Sequence, residues 1–469
     1  MSFFRRLSRH SRRIVLVTPP SSFPLVPASI PTFPYVVMLR SMTPLIPLGS
    51  AYLAASLEQA GFEVKIADMT FTDRNEFNAE FARDAILRTR PDVVGLSALT
   101  WTIPQSYALA KLLREKDRGL TIVAGGPHVS ALPERTLGEC TALDAVIAGE
   151  GEHSFRDFLT ILFEKGLCSE MSETRGVMVR HKGEIIGDPT PAYVEDVDSI
   201  PFPARHAFNL ESYLSVSRQF KAKKTPVGSI ITSRGCPHQC IFCTRSNSGH
   251  RYRPRSAQNV VKELELLKEQ GFNEVQIPDD NFSHDRERVF QICRLIKERG
   301  LDMSFDLPNG VRVDRIDQDV LSAMYDAGFY AMHLGVESGD DAVLMTVKKG
   351  ITVEQVKKAI RTASSIGYKL TMFLILGLPG SSVGSEEKSL DLVKEMGIPF
   401  TFSVCTPYPG SQLWDSMSDK LRDVPWDRYD ETNYVDPIYV PEKMTKPQLL
   451  DCIEKARALQ KEQGSVQSN

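Results

Sequence analysis

A chain of 469 residues with a formal net charge of -3 and an apolar fraction of 42% is long enough for two or three globular domains. Its near balance of charge excludes nucleic-acid binding by bulk electrostatics. Its longest apolar runs, such as residues 370–378, stop short of the ~20 residues that span a bilayer, so no transmembrane segment is expected. Residues 1–13 carry Arg5, Arg6, Arg9, Arg12 and Arg13 with no acid and no apolar stretch behind them. That predicts a basic arm rather than a signal peptide, on a cytoplasmic protein. Cys140, Cys168, Cys293, Cys405 and Cys452 are scattered without pairing, as expected of reduced thiols.

From residue 14 to residue 169, short β-branched runs alternate with amphipathic stretches. Strands are expected at 14–18, 64–68, 93–99, 121–125 and 145–148. Helices are expected at 48–59, 76–87, 105–116, near Glu134 and at 154–164. Five strands alternating with helices predict an α/β doubly wound parallel sheet, which binds ligands outside the carboxyl ends of its strands. Those ends hold Ser97-Ala98-Leu99-Thr100-Trp101, Gly125-Gly126-Pro127-His128 and Gly149-Glu150-Gly151-Glu152. Paired glycines let a flat ligand approach the backbone, and a nearby hydroxyl can hydrogen-bond it; the same residues also serve as plain turns. A long proline-rich loop, 19–47, is expected to cover the site.

Residues 170–226 read as a linker that contains a β-hairpin near 176–187 and then a proline-stiffened tether. Next comes Cys236-Pro-His-Gln-Cys240-Ile-Phe-Cys243, between the apolar run 227–232 and a polar loop. Three thiols at such short spacing can wrap one iron–sulfur cube and leave its fourth iron without a protein ligand. A zinc knuckle with His238 as fourth ligand is the competing reading, although no second Cys or His pair follows. Beyond the cysteines, Ser256 can cap a helix, and strands are expected at 275–278, 303–307, 331–336, 370–376 and 400–405. With 227–232 they make six. Their carboxyl ends carry Asp279-Asp280-Asn281-Phe282, Glu337-Ser338, Gly377-Leu-Pro379 and Tyr408. Asn309, Arg312, Cys405 and Tyr408 fall at the same end, and His250, Arg251 and Tyr252 follow the cysteine loop. The tail from 411 to 469 ends in a helix at about 446–463 and is expected to close the barrel mouth.

CxxxCxxC with Phe242 before the last cysteine resembles the signature of the radical S-adenosylmethionine (SAM) superfamily. The serine, Gly-Gly and GEGE strand ends resemble a cobalamin-binding Rossmann-like, flavodoxin-type domain that lacks the D-x-H-x-x-G cobalt ligand. Together they resemble the cobalamin-dependent radical SAM enzymes. The resemblance implies a basic arm at 1–13, a cobalamin domain at 14–169, a linker at 170–226, a partial (β/α)6 barrel at 227–410 and a C-terminal helical region at 411–469. It implies Cys236, Cys240 and Cys243 as ligands of a [4Fe-4S] cluster whose open iron chelates SAM. Phe242, Asp279, Asp280, Asn281, Glu337, Ser338, Gly377 and Pro379 are the implied SAM-side residues. Ser97, Leu99, Gly125, Gly126, His128, Gly149 and Glu150 are the implied cobalamin-side residues, and Tyr408 an implied catalytic group. The implied activity is a 5′-deoxyadenosyl radical reaction that methylates an unactivated carbon of a small-molecule or lipid substrate. Electrons would come from a donor such as flavodoxin or ferredoxin. Cyclisation or rearrangement without methyl transfer, and a non-catalytic corrinoid or iron–sulfur protein, are the alternatives.

Overall fold

The computed structural model describes residues 12–18, 45–70, 77–217 and 222–466. Most of the basic arm and residues 19–44 of the proline-rich loop lie outside the described residues. Among the described residues no helix is long and apolar enough to cross a membrane.

Two sheets organise the chain. The first contains β1 (Arg13–Thr18), β2 (Glu63–Asp68), β3 (Val93–Ser97), β4 (Thr121–Gly125), β5 (Ala145–Ile147), β6 (Val177–His181) and β7 (Glu184–Gly187) in the order β2-β1-β3-β4-β5-β6-β7. β1 to β5 run parallel, and β6 and β7 are antiparallel. The hairpin read from the sequence as part of a linker is therefore the far edge of the first sheet. Val177 and Val179 are buried, so the hairpin carries its own share of core and does not hang free.

The sheet is covered on both faces, as parallel sheets require. Helices Leu48–Gln59 and Gly151–Lys165 pack on one side through Leu57, Phe155, Phe158 and Leu162, and helix Ile103–Lys116 on the other through Leu109 and Leu113. Two helix starts differ from the sequence expectation. Asn78 accepts a hydrogen bond from the Phe81 amide and caps Ala79–Arg88, later than residue 76. The GEGE loop opens a helix already at Gly151, which puts Glu150 at its N-cap.

The second sheet is all parallel, with β8 (Val227–Ser229), β11 (Glu274–Gln276), β12 (Ser304–Val311), β13 (Phe329–Glu337), β14 (Lys369–Leu376) and β15 (Phe400–Val404) in sequential order. Helices connect them, which gives the six-stranded open barrel. In β14, Leu370, Met372, Leu374 and Leu376 are buried while Thr371, Phe373 and Ile375 are half-buried, the period-two pattern of a strand with one face on helices and one on the lumen. The expected strand 227–232 is split. After β8 the chain turns into a two-residue ribbon strand, β9 (Ser233–Arg234), which pairs antiparallel with β10 (Arg253–Pro254). The cysteine loop is the connection of that ribbon.

The tail does not act as one cap on the barrel mouth. Trp414, Leu421, Trp426 and Tyr429 join the core on one face of the first sheet, whereas helix Lys446–Val466 packs Leu449, Cys452, Ile453 and Ala456 into the barrel core. The tail thus clasps both domains.

Candidate active site at the domain boundary

The carboxyl ends of both sheets face one another across a cavity of about 310 Å³. Ser97, Gly125, Gly126, Gly149 and Glu150 line it from the first domain. Arg234, Asn247, Ser248, Pro278 and Asp280 line it from the barrel side.

The glycines do more than clear space for a ligand. Gly126 has φ +101°, and a Cβ there would sit 2.8 Å from the Ala98 carbonyl oxygen; Gly149 has φ +87°, and its Cβ would sit 2.2 Å from the Ala192 carbonyl oxygen. Backbone crosses backbone at both points, so only glycine fits. The Ser130 hydroxyl ties the crossings together, donating to the Gly126 carbonyl (2.9 Å) and accepting from the Gly149 amide (2.8 Å). The result is a floor free of side chains at the strand ends, which suits a flat ring.

Three cobalamin-side expectations are corrected. Leu99 does not line the cavity; its amide donates to the Thr102 hydroxyl at 3.0 Å in a local turn. His128 is fully buried on the far side, its ring edge-on to Trp426 at 4.7 Å and its Nδ1 3.4 Å from the Thr100 hydroxyl. Burial pushes its pKa down to about 4, so it is neutral, and its Nε2 is buried with no partner among the described residues. Glu150 does line the cavity, yet its two oxygens each accept from Arg253 at 2.7 Å, and one also accepts from the Val194 amide at 2.6 Å. Its carboxylate is an ion-pair partner across the domain boundary, not a free ligand for a cofactor.

On the barrel side, the cysteine loop is braced by backbone bonds from the Cys236 amide to Gly249 (3.3 Å), from the Cys243 amide to Cys240 (3.2 Å) and from the Ile241 amide to Val347 (3.1 Å). Phe242 is half-buried and packs with Val343, Val347, Leu378 and Leu413 at the rim. Burial raises the Cys236 thiol, with Asp280 and Cys240 adding to it, while Cys243 is exposed on the loop. Among the described residues no three His, Cys, Asp or Glu side chains converge where a single ion could be held. Three thiols at offsets of four and three residues on one loop are a donor set that fits a polynuclear cluster, whose separate irons take separate ligands.

The loop after β11 divides its three polar residues between two tasks. Asp279 is buried and accepts from the Thr232 amide (2.7 Å), the Thr232 hydroxyl (2.5 Å) and the Ser233 hydroxyl (2.6 Å). It pins the bend from β8 into β9, which corrects its reading as a ligand of SAM. Asp280 accepts from the Ser248 hydroxyl at 2.8 Å and lines the cavity; burial raises its carboxyl. Asn281 is 1% exposed, and among the described residues neither its amide nitrogen nor its oxygen has a partner. Ser283 Oγ, His284 Nδ1 and His238 Nε2 are likewise buried and unpartnered, and the His284 ring lies 4.6 Å from Tyr252 and 6.1 Å from His238. A buried polar group without a partner is costly, and these four residues lie on or beside the cysteine loop without lining the cavity. No spacing rule in the sequence points to Ser283 or His284.

Glu337 ends β13 with φ +67° and pairs with the buried Lys349 at 2.6 Å. Ser338 is buried beside Ser389 (3.4 Å) and bonds the Asp340 amide. The Gly377 amide donates to Glu386 at 2.9 Å, which fixes the turn that continues through half-buried Pro379. These four stand at the strand ends but outside the cavity. Tyr408 does not reach the cavity either. Its ring packs at 5.8 Å on Trp101, and its hydroxyl lies 3.4 Å from both the Tyr429 carbonyl and the Glu431 carboxylate, so it is a packing residue under the tail.

The comparisons agree with this architecture. Residues 35–159 match the B12 binding domain family and residues 230–393 the Radical SAM superfamily. An uncharacterized methyltransferase, PH0819, of Pyrococcus horikoshii is 32% identical over 420 residues, covering 87% of this chain and 86% of its own. Cytidylyl-2-hydroxyethylphosphonate methyltransferase of Streptomyces wedmorensis is 32% identical over 423 residues, covering 78% and 77%. Among solved structures, the radical SAM methyltransferase TsrM from Kitasatospora setae superposes with a TM-score of 0.73 over 96% of this chain and 89% of its own, at 16% identity. A corrinoid-binding sheet joined to an iron–sulfur half-barrel defines a class of enzyme, and the chain belongs to the cobalamin-dependent radical SAM family. Its cofactors are SAM, a [4Fe-4S] cluster and cobalamin.

Proposed function

We propose that this protein transfers a methyl group to an unactivated carbon of a small-molecule substrate. The observation that carries the reading is the single cavity to which the glycine floor of the first domain and the ribbon bearing the cysteine loop both contribute. Similarity to relatives named as methyltransferases supports it. Cys236, Cys240 and Cys243 would hold the cluster, and Gly125, Gly126 and Gly149 would floor the corrinoid. Bound there, the cluster supplies the electron that cleaves SAM, and the corrinoid carries the methyl group. The chain's own residues do the rest. Asn281, whose side-chain polar atoms have no partner among the described residues, would bind the amino-acid end of SAM, and Lys349 with Glu337 would order the adjoining strand end. The walls between the two sheets keep water from a reactive radical. Reducing equivalents come from a small donor protein such as flavodoxin or ferredoxin, and a lipid is among the substrates the reading admits.

The test is an anaerobic assay of cluster-reconstituted protein with cobalamin, SAM and a low-potential reductant. Methyl transfer predicts S-adenosylhomocysteine together with 5′-deoxyadenosine. Deoxyadenosine alone, with corrinoid bound but never methylated, would contradict it in favour of a cyclisation or rearrangement.

A further inference from the structure

The cysteine loop has two stems, and each ends in an arginine. Arg234 of β9 and Arg253 of β10 are register partners in the ribbon, so they frame the connection 235–252. Both side chains leave the barrel. Arg253 grips Glu150 with two nitrogens, each at 2.7 Å, and Arg234 bonds Glu152 at 2.7 Å while lying 3.5 Å from Glu150. The four side chains are between 4% and 10% exposed. Burial disfavours the Glu152 carboxylate, but the charge and hydrogen bond of Arg234 outweigh it and hold its pKa below the usual value. The Arg234 guanidinium also lies over the Tyr52 ring at 5.0 Å, and that of Arg253 over Tyr193 at 5.3 Å.

Two buried ion pairs are an expensive way to join domains. Apolar contacts of equal volume often match or exceed the stability of such pairs. What a guanidinium fork adds is direction, because its fixed plane accepts a carboxylate only along set lines. Here the carboxylates sit at the N-terminal end of the rigid helix Gly151–Lys165, beside the glycine floor.

We propose that Glu150 and Glu152 are positioning residues that, through Arg253 and Arg234, fix both stems of the cysteine loop to the floor of the cavity, so that SAM at the loop and corrinoid in the cavity meet in one register. The proposal rests on the function proposed above. It goes further in giving the GEGE segment a task other than touching a cofactor.

The experiment uses the full chain, cluster-reconstituted, as wild type, E152Q, R234Q and the double variant E152Q/R234Q. Two readouts are taken. The first is the ratio of S-adenosylhomocysteine to 5′-deoxyadenosine formed with cobalamin and SAM. Deoxyadenosine needs SAM at the loop alone, whereas S-adenosylhomocysteine needs SAM and corrinoid in register, so the ratio is expected to fall about tenfold or more in E152Q. The second is hydrogen–deuterium exchange of residues 235–252, which is expected to speed up in E152Q without any cofactor added. Should a single variant fail to fold, the double variant carries the test, since it removes both charges together. An unchanged ratio, or a parallel loss of both products, with unchanged exchange would overturn the proposal and leave the pairs a purely stabilising role. Wild type that makes no S-adenosylhomocysteine would refute the methyl-transfer reading, and the exchange measurement would then decide the positioning role by itself.

Discussion

The two loops that face each other across the cavity treat their polar groups in opposite ways. At Gly149–Glu152 the carboxylates are fully paired, with Arg253, Arg234 and the Val194 amide. At Asp279–His284, Asp279 is satisfied, but Asn281, Ser283 and His284 hold buried polar atoms that have no partner among the described residues. The contrast follows the ligands the two sides serve. A flat macrocycle laid on glycines needs shape and exclusion of water, so the first domain can use its charges for joinery. SAM brings an ammonium and a carboxylate, and under the proposed function the unpaired donors and acceptors of the barrel loop would meet them.

Several substitutions would break or sharpen that contrast. The largest effect is expected from Cys236→Ala. It should bring reductive cleavage of SAM down to background and lower the iron content, while corrinoid affinity in a spectral titration stays as in wild type. Loss of corrinoid binding in the same variant would mean that the two sides are not separable. Next comes Arg253→Met, which takes both guanidinium hydrogen bonds from the buried Glu150 carboxylate and leaves it the Val194 amide and Arg234 at 3.5 Å. Denaturant titration should show a loss of about 3–5 kcal/mol.

The third probe concerns pH. His128 has a folded pKa lowered to about 4 from an ordinary 6.5, so the folded state binds fewer protons than the unfolded chain between those values. Stability is therefore full above about 6.5 and declines as pH falls towards 4, by up to about 3 kcal/mol. His128→Leu should flatten that decline in thermal melts at stepped pH and leave corrinoid affinity unchanged. A weakened corrinoid complex would restore His128 to the cofactor site. The smallest effect on the fold is expected from Asn281→Leu, because an apolar group replaces one that has no partner. Calorimetry should show stability equal to or above wild type, while SAM affinity falls by about 1.5–3 kcal/mol. A destabilised variant with normal SAM affinity would make Asn281 a structural residue.

Much of the fold was legible because periodicity is local. The alternation of strands and helices, the six barrel strands and the cysteine spacing all follow from residues near one another in the chain. What was not legible depends on partners far away in sequence. Glu150 and Glu152 read as a cofactor motif until Arg234 and Arg253 are seen against them, 82 and 103 residues downstream. Asp279 reads as a ligand until Thr232 and Ser233 turn back onto it. His128 and Tyr408 sit next to strand ends, and only the tail residues Trp426, Tyr429 and Glu431 show that they point into packing. The hairpin was visible as a hairpin, but its pairing with β5 was not, since sheet-edge pairing leaves no signal in either strand alone.

Under the proposed function, corrinoid over the glycine floor and cluster at the cysteine loop would lie close together across the domain boundary. The direct measurement is electron paramagnetic resonance of the protein poised with cob(II)alamin and the reduced cluster together, so that both centres carry an unpaired electron. Spin–spin broadening of both signals is expected, absent when either centre alone is paramagnetic. Two unperturbed, additive spectra would place the centres apart and contradict it.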